Sequence, residues 1–204
     1  MHERRPDHAQ VDFSETLGTI GGLECKIHFY VMSLPHSDAV FVKGYPTETT
    51  EAFCDVHVSA FAFFGGIPQT ILYDNTKIAV ARILGDRTRV RTQRFTELQS
   101  HYLIDGRFGR PARENDKGNV EGMVGFTRRN FMVPIPNVVS FEELNEHLLA
   151  QCLADDRRRV DRQPVTIGEA WKMEKPHLLP LPERDFDCCV TRPATLNPYS
   201  QVVL

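Results

Sequence analysis

A chain of 204 residues is long enough for one medium domain with a sizeable core, and 41% hydrophobic with 25% charged residues is an ordinary globular composition. No stretch approaches the roughly 20 apolar residues of a membrane span, and the polar start Met1-His2-Glu3-Arg4-Arg5 is no signal peptide, so a cytoplasmic protein without a membrane partner is expected. Five cysteines without a CxxC pair and eight scattered histidines argue against a zinc site or a disulfide framework and for reduced, structural thiols.

The net charge of −3 conceals an asymmetry. From Arg82 to Arg129 there are eleven Arg or Lys and six acids, a surplus of five positive charges, which leaves −8 on the rest of the chain. Such a region can serve as a phosphate-binding face, and it equally suits a solvated loop rich in arginine.

Taken in order, Ala9-Gln10-Val11-Asp12-Phe13 alternates as a first strand, with an acid inside it. Gly18, Gly21 and Gly22 are expected to turn the chain into Lys26–Leu34, the strongest strand signal, and Pro35-His36-Ser37-Asp38 turns it again into Ala39–Tyr45. Three strands with short connections predict an antiparallel meander. A helix follows, with Thr47 as its expected N-cap, Glu48 and Glu51 near its positive end, and Phe53, Val56, Ala60, Phe61 and Phe64 as its apolar stripe. Gly65 and Gly66 stop it.

Pro68 and Gln69 then lead into Thr70-Ile71-Leu72-Tyr73, a buried strand that ends on Asp74. A lone buried carboxylate is costly, so Asp74 requires hydrogen-bond donors or a cation. A helix crossover allows this strand to lie parallel to the first, which brings Asp12 and Asp74 onto neighbouring strands, where the two carboxylates repel unless a proton or a metal lies between them.

Beyond Asn75 the pattern predicts a short helix over 96–103, a polar strand around Arg107-Phe108-Gly109, and a helix capped by Asn115 or Asp116. Lys117, Glu121 and Arg128 fall on one face of that helix, a mixed face suited to a metal beside a phosphate backbone or to plain surface ion pairs. After Pro134 and Pro136, Ser140 and Glu143 read as a capping box. The helix behind them carries Leu144, His147, Leu148, Gln151 and Cys152 on its apolar side and runs into Arg157-Arg158-Arg159, either a phosphate contact or a complement to the helix dipole. From Gln163 six prolines crowd the chain, which reads as an extended linker with one short helix over 167–173.

Three acids stand out: Asp12 in the first strand, Asp74 at the end of the fourth and Glu121 on a late helix. Carboxylates gathered at a sheet edge with basic surroundings are what a two-metal phosphoryl-transfer site needs, and an oxygen-only ligand set favours Mg²⁺, with Mn²⁺ as substitute. Three motifs, Ala9 to Phe13, Pro68 to Asn75 followed by Lys77 and Val80, and Asn115 to Glu121, together resemble the IstA-like transposases. Their core belongs to the retroviral-integrase superfamily. The resemblance extends from about Ala9 to Pro182.

It implies an α/β, RNase H-like fold with a mixed five-stranded sheet flanked by helices and an extended C-terminal segment. It also implies an acidic triad of Asp12, Asp74 and Glu121, which binds Mg²⁺ and frees a 3′ hydroxyl at transposon ends for attack on a target phosphodiester. Asn75, Lys77, Lys117, Arg128 and Arg129 are the candidate DNA contacts. The implied partners are transposon-end and target DNA, further copies of the chain on that DNA, and a separate AAA+ ATPase helper. The expected organisation is a polar lead-in over 1–8, the catalytic core over 9–160, a linker with a short helix over 161–185, and the start of a β domain over 186–204. With no room for a helix-turn-helix before Ala9 and an unfinished β domain after Phe186, a truncated product is expected. Two other readings stay open: a catalytically silent DNA-binding or oligomerisation fragment, and an RNase H-type nuclease.

Overall fold

The computed structural model describes residues 5–73, 80–83, 89–91, 93–108, 120–160, 163–189, 195–196 and 202–203, with residues 80–83, 89–91, 120–122, 195–196 and 202–203 described through their backbone. Strand β1 (His8–Ile20) and strand β2 (Leu23–Leu34) pair antiparallel from Gln10↔Ser33 to Ile20↔Leu23. Gly21 and Gly22, at φ 60° and 81°, supply the two left-handed residues that a two-residue hairpin with native twist requires. Gly18, expected in the turn, lies within β1 opposite Cys25. A Cβ there would run into Ile27 and the Pro136 carbonyl, so the glycine serves close packing instead.

Strand β3 (Ala39–Tyr45) completes the predicted meander. Helix α1 (Thr50–Phe64) is capped by Thr49, whose hydroxyl accepts from Ala52 N at 3.1 Å, two residues later than the expected Thr47. Two threonines precede the helix, and only the one three positions before Ala52 can close the first turn. At the other end Gly65 (φ 66°) bonds to Ala62 O and Gly66 to Phe61 O, both at 3.2 Å, the paired C-terminal bonds that a left-handed residue permits.

The α1 crossover returns the chain to β4 (Thr70–Tyr73), which runs parallel to β1 with Ala9 opposite Ile71 and Val11 opposite Tyr73. A hairpin of β5 (Val80–Ile83) and β6 (Arg89–Arg91) precedes helix α2 (Gln93–Tyr102). Leu103, at φ 56°, ends that helix and leads into β7 (Asp105–Phe108), parallel to β4. Helix α3 (Val120–Asn130) and the two-residue strand β8 (Asn137–Val138) follow. The sheet order is β3-β2-β1-β4-β7, the mixed five-stranded sheet expected, and β8 adds a short parallel pairing at Thr19 and Ile20.

Helices cover both faces. Ala9, Val11, Tyr30, Phe53, Phe61 and Tyr73 form the core beneath α1 and α2, while Ile27, Phe29, Val31, Leu144, Leu148 and Cys152 form the second core, beneath α3 and α4 (Phe141–Asp155). Ser140 caps α4 by accepting from Glu143 N at 3.3 Å, and the Glu143 carboxylate bonds the amide of Val139 at 2.7 Å, where the capping-box reading expected Ser140. Of the expected apolar stripe, Leu144, Leu148 and Cys152 are buried and His147 is exposed. From α4, Asn145 donates to Gly44 O at 3.0 Å and accepts from Gly44 N at 2.7 Å, so its amide takes the place of a further strand on the edge of β3.

Helix α5 (Ile167–Glu174) carries a reciprocal capping box between Thr166 and Glu169 and is followed by one 3-10 turn (Lys175–His177). The proline-rich segment around it packs onto the body of the protein. Ile67 and Leu179 exchange both backbone bonds at 2.9 Å, Trp171 stacks on Phe63 with centroids 5.5 Å apart, and Phe186 N bonds Tyr102 Oη at 3.1 Å. Strands β9 (Thr195–Leu196) and β10 (Val202–Val203) pair antiparallel. Among the described residues no helix is long and apolar enough to cross a membrane.

Glu174 ends α5 in full burial against the β2–β3 turn, where one carboxylate oxygen accepts from Ser37 N at 3.1 Å and the other has no hydrogen-bond partner among the described residues. Burial pushes its carboxyl up to about 7, opposed by the Ser37 bond and by His36 and reinforced by Asp38. A folded-state value above the ordinary 4.5 means that stability falls as pH rises through this window. Glu174→Gln is therefore expected to raise the melting temperature at pH 8 and to leave it nearly unchanged at pH 4, read by thermal unfolding at both pH values.

Candidate active site

Side chains alternate along β1, so Ala9 and Val11 enter the core beneath α1 while Asp12 and Ser14 stand on the other face, opposite Val31 and Phe29 of β2. Asp12 is half-buried, and its Oδ1 accepts from the amide of Phe13 at 2.7 Å. Within the described residues the β4 pairing ends at Val11↔Tyr73, one position before Asp12. Asp74, Asn75, Lys77 and Lys117 lie outside the described residues, and Glu121 is placed by its backbone in the first turn of α3.

One guanidinium fastens α3 to β1. Arg128 Nη2 donates to Ser14 Oγ at 2.5 Å and to Glu15 O at 3.2 Å, two and three residues along the strand from Asp12. Seven residues, about two turns, separate Arg128 from Glu121, so both fall on one face of the helix. Arg129 is exposed and lies over the backbone of Gly125. In the run that follows α4, Arg158 binds both oxygens of Asp155, at 2.7 and 3.0 Å, and covers the Phe126 ring at 4.5 Å, which ties the end of α4 to α3. Arg157 and Arg159 are exposed.

Beneath β4 lies a polar pair that the residue pattern did not single out. His57, fully buried in α1, donates from Nδ1 to Phe53 O at 2.7 Å and accepts at Nε2 from Tyr73 Oη at 2.9 Å, an assignment fixed by the carbonyl, which can only accept. Burial holds the imidazole down to about 4, so it is neutral near pH 7. A histidine four residues from Phe53 and from Phe61, inside the apolar stripe of a helix, was the available signal for a buried polar contact.

Among the described residues no group of three His, Cys, Asp or Glu side chains is arranged to hold a metal, a set that contains neither Asp74 nor the side chain of Glu121. A groove of about 760 Å³ lies elsewhere, along edge strand β3 between α1 and α4, with Lys43, Phe63, Asn145, Leu149 and Leu153 among its walls. It is two strands from Asp12 and takes no part in this arrangement.

Against this geometry stand the relatives. The sequence model of the Integrase core domain matches residues 2–114, just over half of the chain. A transposase for insertion sequences IS1326/IS1353 from Pseudomonas aeruginosa is 35% identical over 182 residues, which cover 89% of this chain and 36% of that protein. The transposase for insertion sequence element IS21 from the same species is 35% identical over 180 residues, covering 87% and 46%. A transposase from Aminobacter aminovorans is 34% identical over 196 residues, covering 96% and 38%. The chain thus spans between about a third and a half of the length of these relatives. In fold it is similar to a chain in the cryoEM structure of the simian T-cell lymphotropic virus intasome in complex with PP2A regulatory subunit B56 gamma, with TM-score 0.60 and 16% identity over 95% of this chain and 63% of that one. The mixed sheet flanked by helices is accordingly RNase H-like. The chain belongs to the integrase core domain family, as the resemblance of its three motifs to the IstA-like transposases implied.

Proposed function

We propose that the chain is the catalytic core of a transposase and that Asp12, Asp74 and Glu121 form a divalent-cation site for DNA 3′-end cleavage and strand transfer. The observation that carries this reading is the parallel register of β1 and β4, with Val11 opposite Tyr73. Continued by one residue, it would set Asp74 beside Asp12. The Arg128 bonds to Ser14 and Glu15 support the third member, because they hold α3 against the same strand.

The donor set fits Mg²⁺. It offers carboxylate oxygens alone, and Asp12 stands half-buried beyond the last described β1–β4 pair rather than inside the apolar core. When bound, the ion would supply activation of the attacking oxygen and stabilisation of the leaving one. The chain's own work is to hold three carboxylates in place against their mutual repulsion and to align a phosphodiester with them. Asn75, Lys77, Lys117 and Arg129 are proposed to contact the DNA backbone, and Arg128 to hold α3 on β1 beside it. Transposon-end and target DNA, further copies of the chain and an AAA+ ATPase helper are the proposed partners, with the cytoplasm as the site of action.

The test supplies a duplex with a pre-cleaved end bearing a 3′ hydroxyl, a target duplex and Mg²⁺ or Mn²⁺. Joined product is the expected result. DNA binding without joining in either metal would favour the silent DNA-binding fragment instead.

A further inference from the structure

We propose that Tyr73 and His57 are a buried positioning pair, whose hydrogen bond fixes the end of β4 and so the place of Asp74; the inference rests on the cation-site reading above. Both side chains are fully buried, and Tyr73 Oη stands 2.9 Å from His57 Nε2. The imidazole is itself locked, since Nδ1 is held by the carbonyl of Phe53 one turn back on α1. The chain α1 backbone, imidazole, phenol, β4 backbone is therefore continuous and leaves neither ring nitrogen idle.

Aromatic packing alone would not do this. The Tyr73 ring lies among Phe53, Phe95 and Phe108, with centroids 5.9, 5.1 and 5.7 Å away, and a phenylalanine would fill the same volume. Apolar contact is non-directional and tolerates sliding along the strand axis, whereas a hydrogen bond between two buried groups has one favoured length and direction. The pair also stands where placement matters. Tyr73 is the last described residue of β4, and its ring enters the α1 core beside Val11; were the strand continued by one residue, its alternation would send the next side chain to the opposite face, the face of Asp12. An anchor on one face of the sheet would thus set a carboxylate on the other. Sites of this kind depend on reacting groups held within about 0.5 Å by supporting contacts.

Tyr73→Phe tests the pair because it keeps the ring and removes the hydroxyl, and His57→Gln approaches the same bond from α1. Amide hydrogen exchange and Mn²⁺ affinity by calorimetry are measured for both, with Ile167→Ala, a buried residue of α5, as a variant that loses stability outside β1, β4 and α3. The expected result is about tenfold faster exchange at Ile71, Leu72 and Tyr73 relative to β2 and β3, with about tenfold weaker Mn²⁺ binding, while Ile167→Ala keeps its Mn²⁺ affinity. Wild-type Mn²⁺ affinity in both pair variants, whether or not exchange changes, would overturn the positioning role. An Asp12→Asn arm separates the failures. If Asp12→Asn loses Mn²⁺ and the pair variants do not, the positioning role alone is wrong; if Asp12→Asn binds Mn²⁺ as the wild type does, the cation-site reading falls and the inference with it.

Discussion

Asp12→Asn is expected to lower strand joining on the order of a thousandfold while leaving DNA affinity unchanged or slightly tighter. Asparagine keeps the shape and an oxygen that can still accept from Phe13 N, the 2.7 Å contact made by Oδ1, so β1 retains its local geometry. What disappears is one negative charge in a set of three. Asp74→Asn and Glu121→Gln are expected to give losses of the same order. Because the three would act as one ligand set, a double variant should lose little more than either single one. Removing a carboxylate near bound phosphates also removes a repulsion, hence the direction expected for affinity. Joining assays in Mg²⁺ together with a salt titration of DNA binding read both quantities. Joining within about threefold of wild type in Asp12→Asn would place the chemistry elsewhere.

The second large effect is on stability. Between pH 6.5 and about 4, His57 is expected to remove about 3 kcal/mol from the folded state. The sign follows from burial. The imidazole is held down to about 4 in the folded chain and titrates near its ordinary 6.5 when unfolded, so the unfolded state takes up the proton first. Stability from this group is fully present above pH 6.5, falls as pH drops through the window and levels off below about 4. Protonation would also place a hydrogen on Nε2, where the Tyr73 hydroxyl donates. Glu174 works in the opposite direction over an overlapping range, its carboxyl being raised to about 7. Urea unfolding at pH 7 and pH 4.5 is therefore best compared in the Glu174→Gln background, where His57→Gln should flatten most of the remaining slope. An unchanged slope would mean that His57 is not the buried neutral group described here.

The parts of this fold that were legible in the sequence are those written in local pattern. Dense runs of apolar, β-branched and aromatic residues between turn residues mark β2 and β3, the Phe53–Phe61 stripe and the Gly65-Gly66 stop mark α1, and Ser140 marks α4. Boundaries moved where several residues could serve, as with Thr47 and Thr49 at one helix start. What stayed hidden depends on contacts distant in the chain. β8 is two residues among prolines and exists only because β1 offers it an edge at Thr19 and Ile20. The proline-rich segment has a linker's composition, yet Leu179 finds Ile67 and Trp171 finds Phe63. At the site, Asp12 could be singled out by an acid inside an apolar alternation, and Arg128 by its spacing from Glu121. No spacing could reveal that the Arg128 guanidinium reaches Ser14, or that His57 meets Tyr73 across the core.

Asp12, Asp74 and Glu121 are proposed to hold a divalent cation between them. Crystals of the chain with a short DNA end, soaked in Mn²⁺ and measured at the manganese absorption edge, test it most directly. The expected result is an anomalous peak within about 2.0 to 2.3 Å of a carboxylate oxygen of Asp12, shared with Asp74 or Glu121. A Mn²⁺ peak elsewhere on the DNA-bound protein, with the Asp12 and Asp74 carboxylates more than about 8 Å apart, would contradict it.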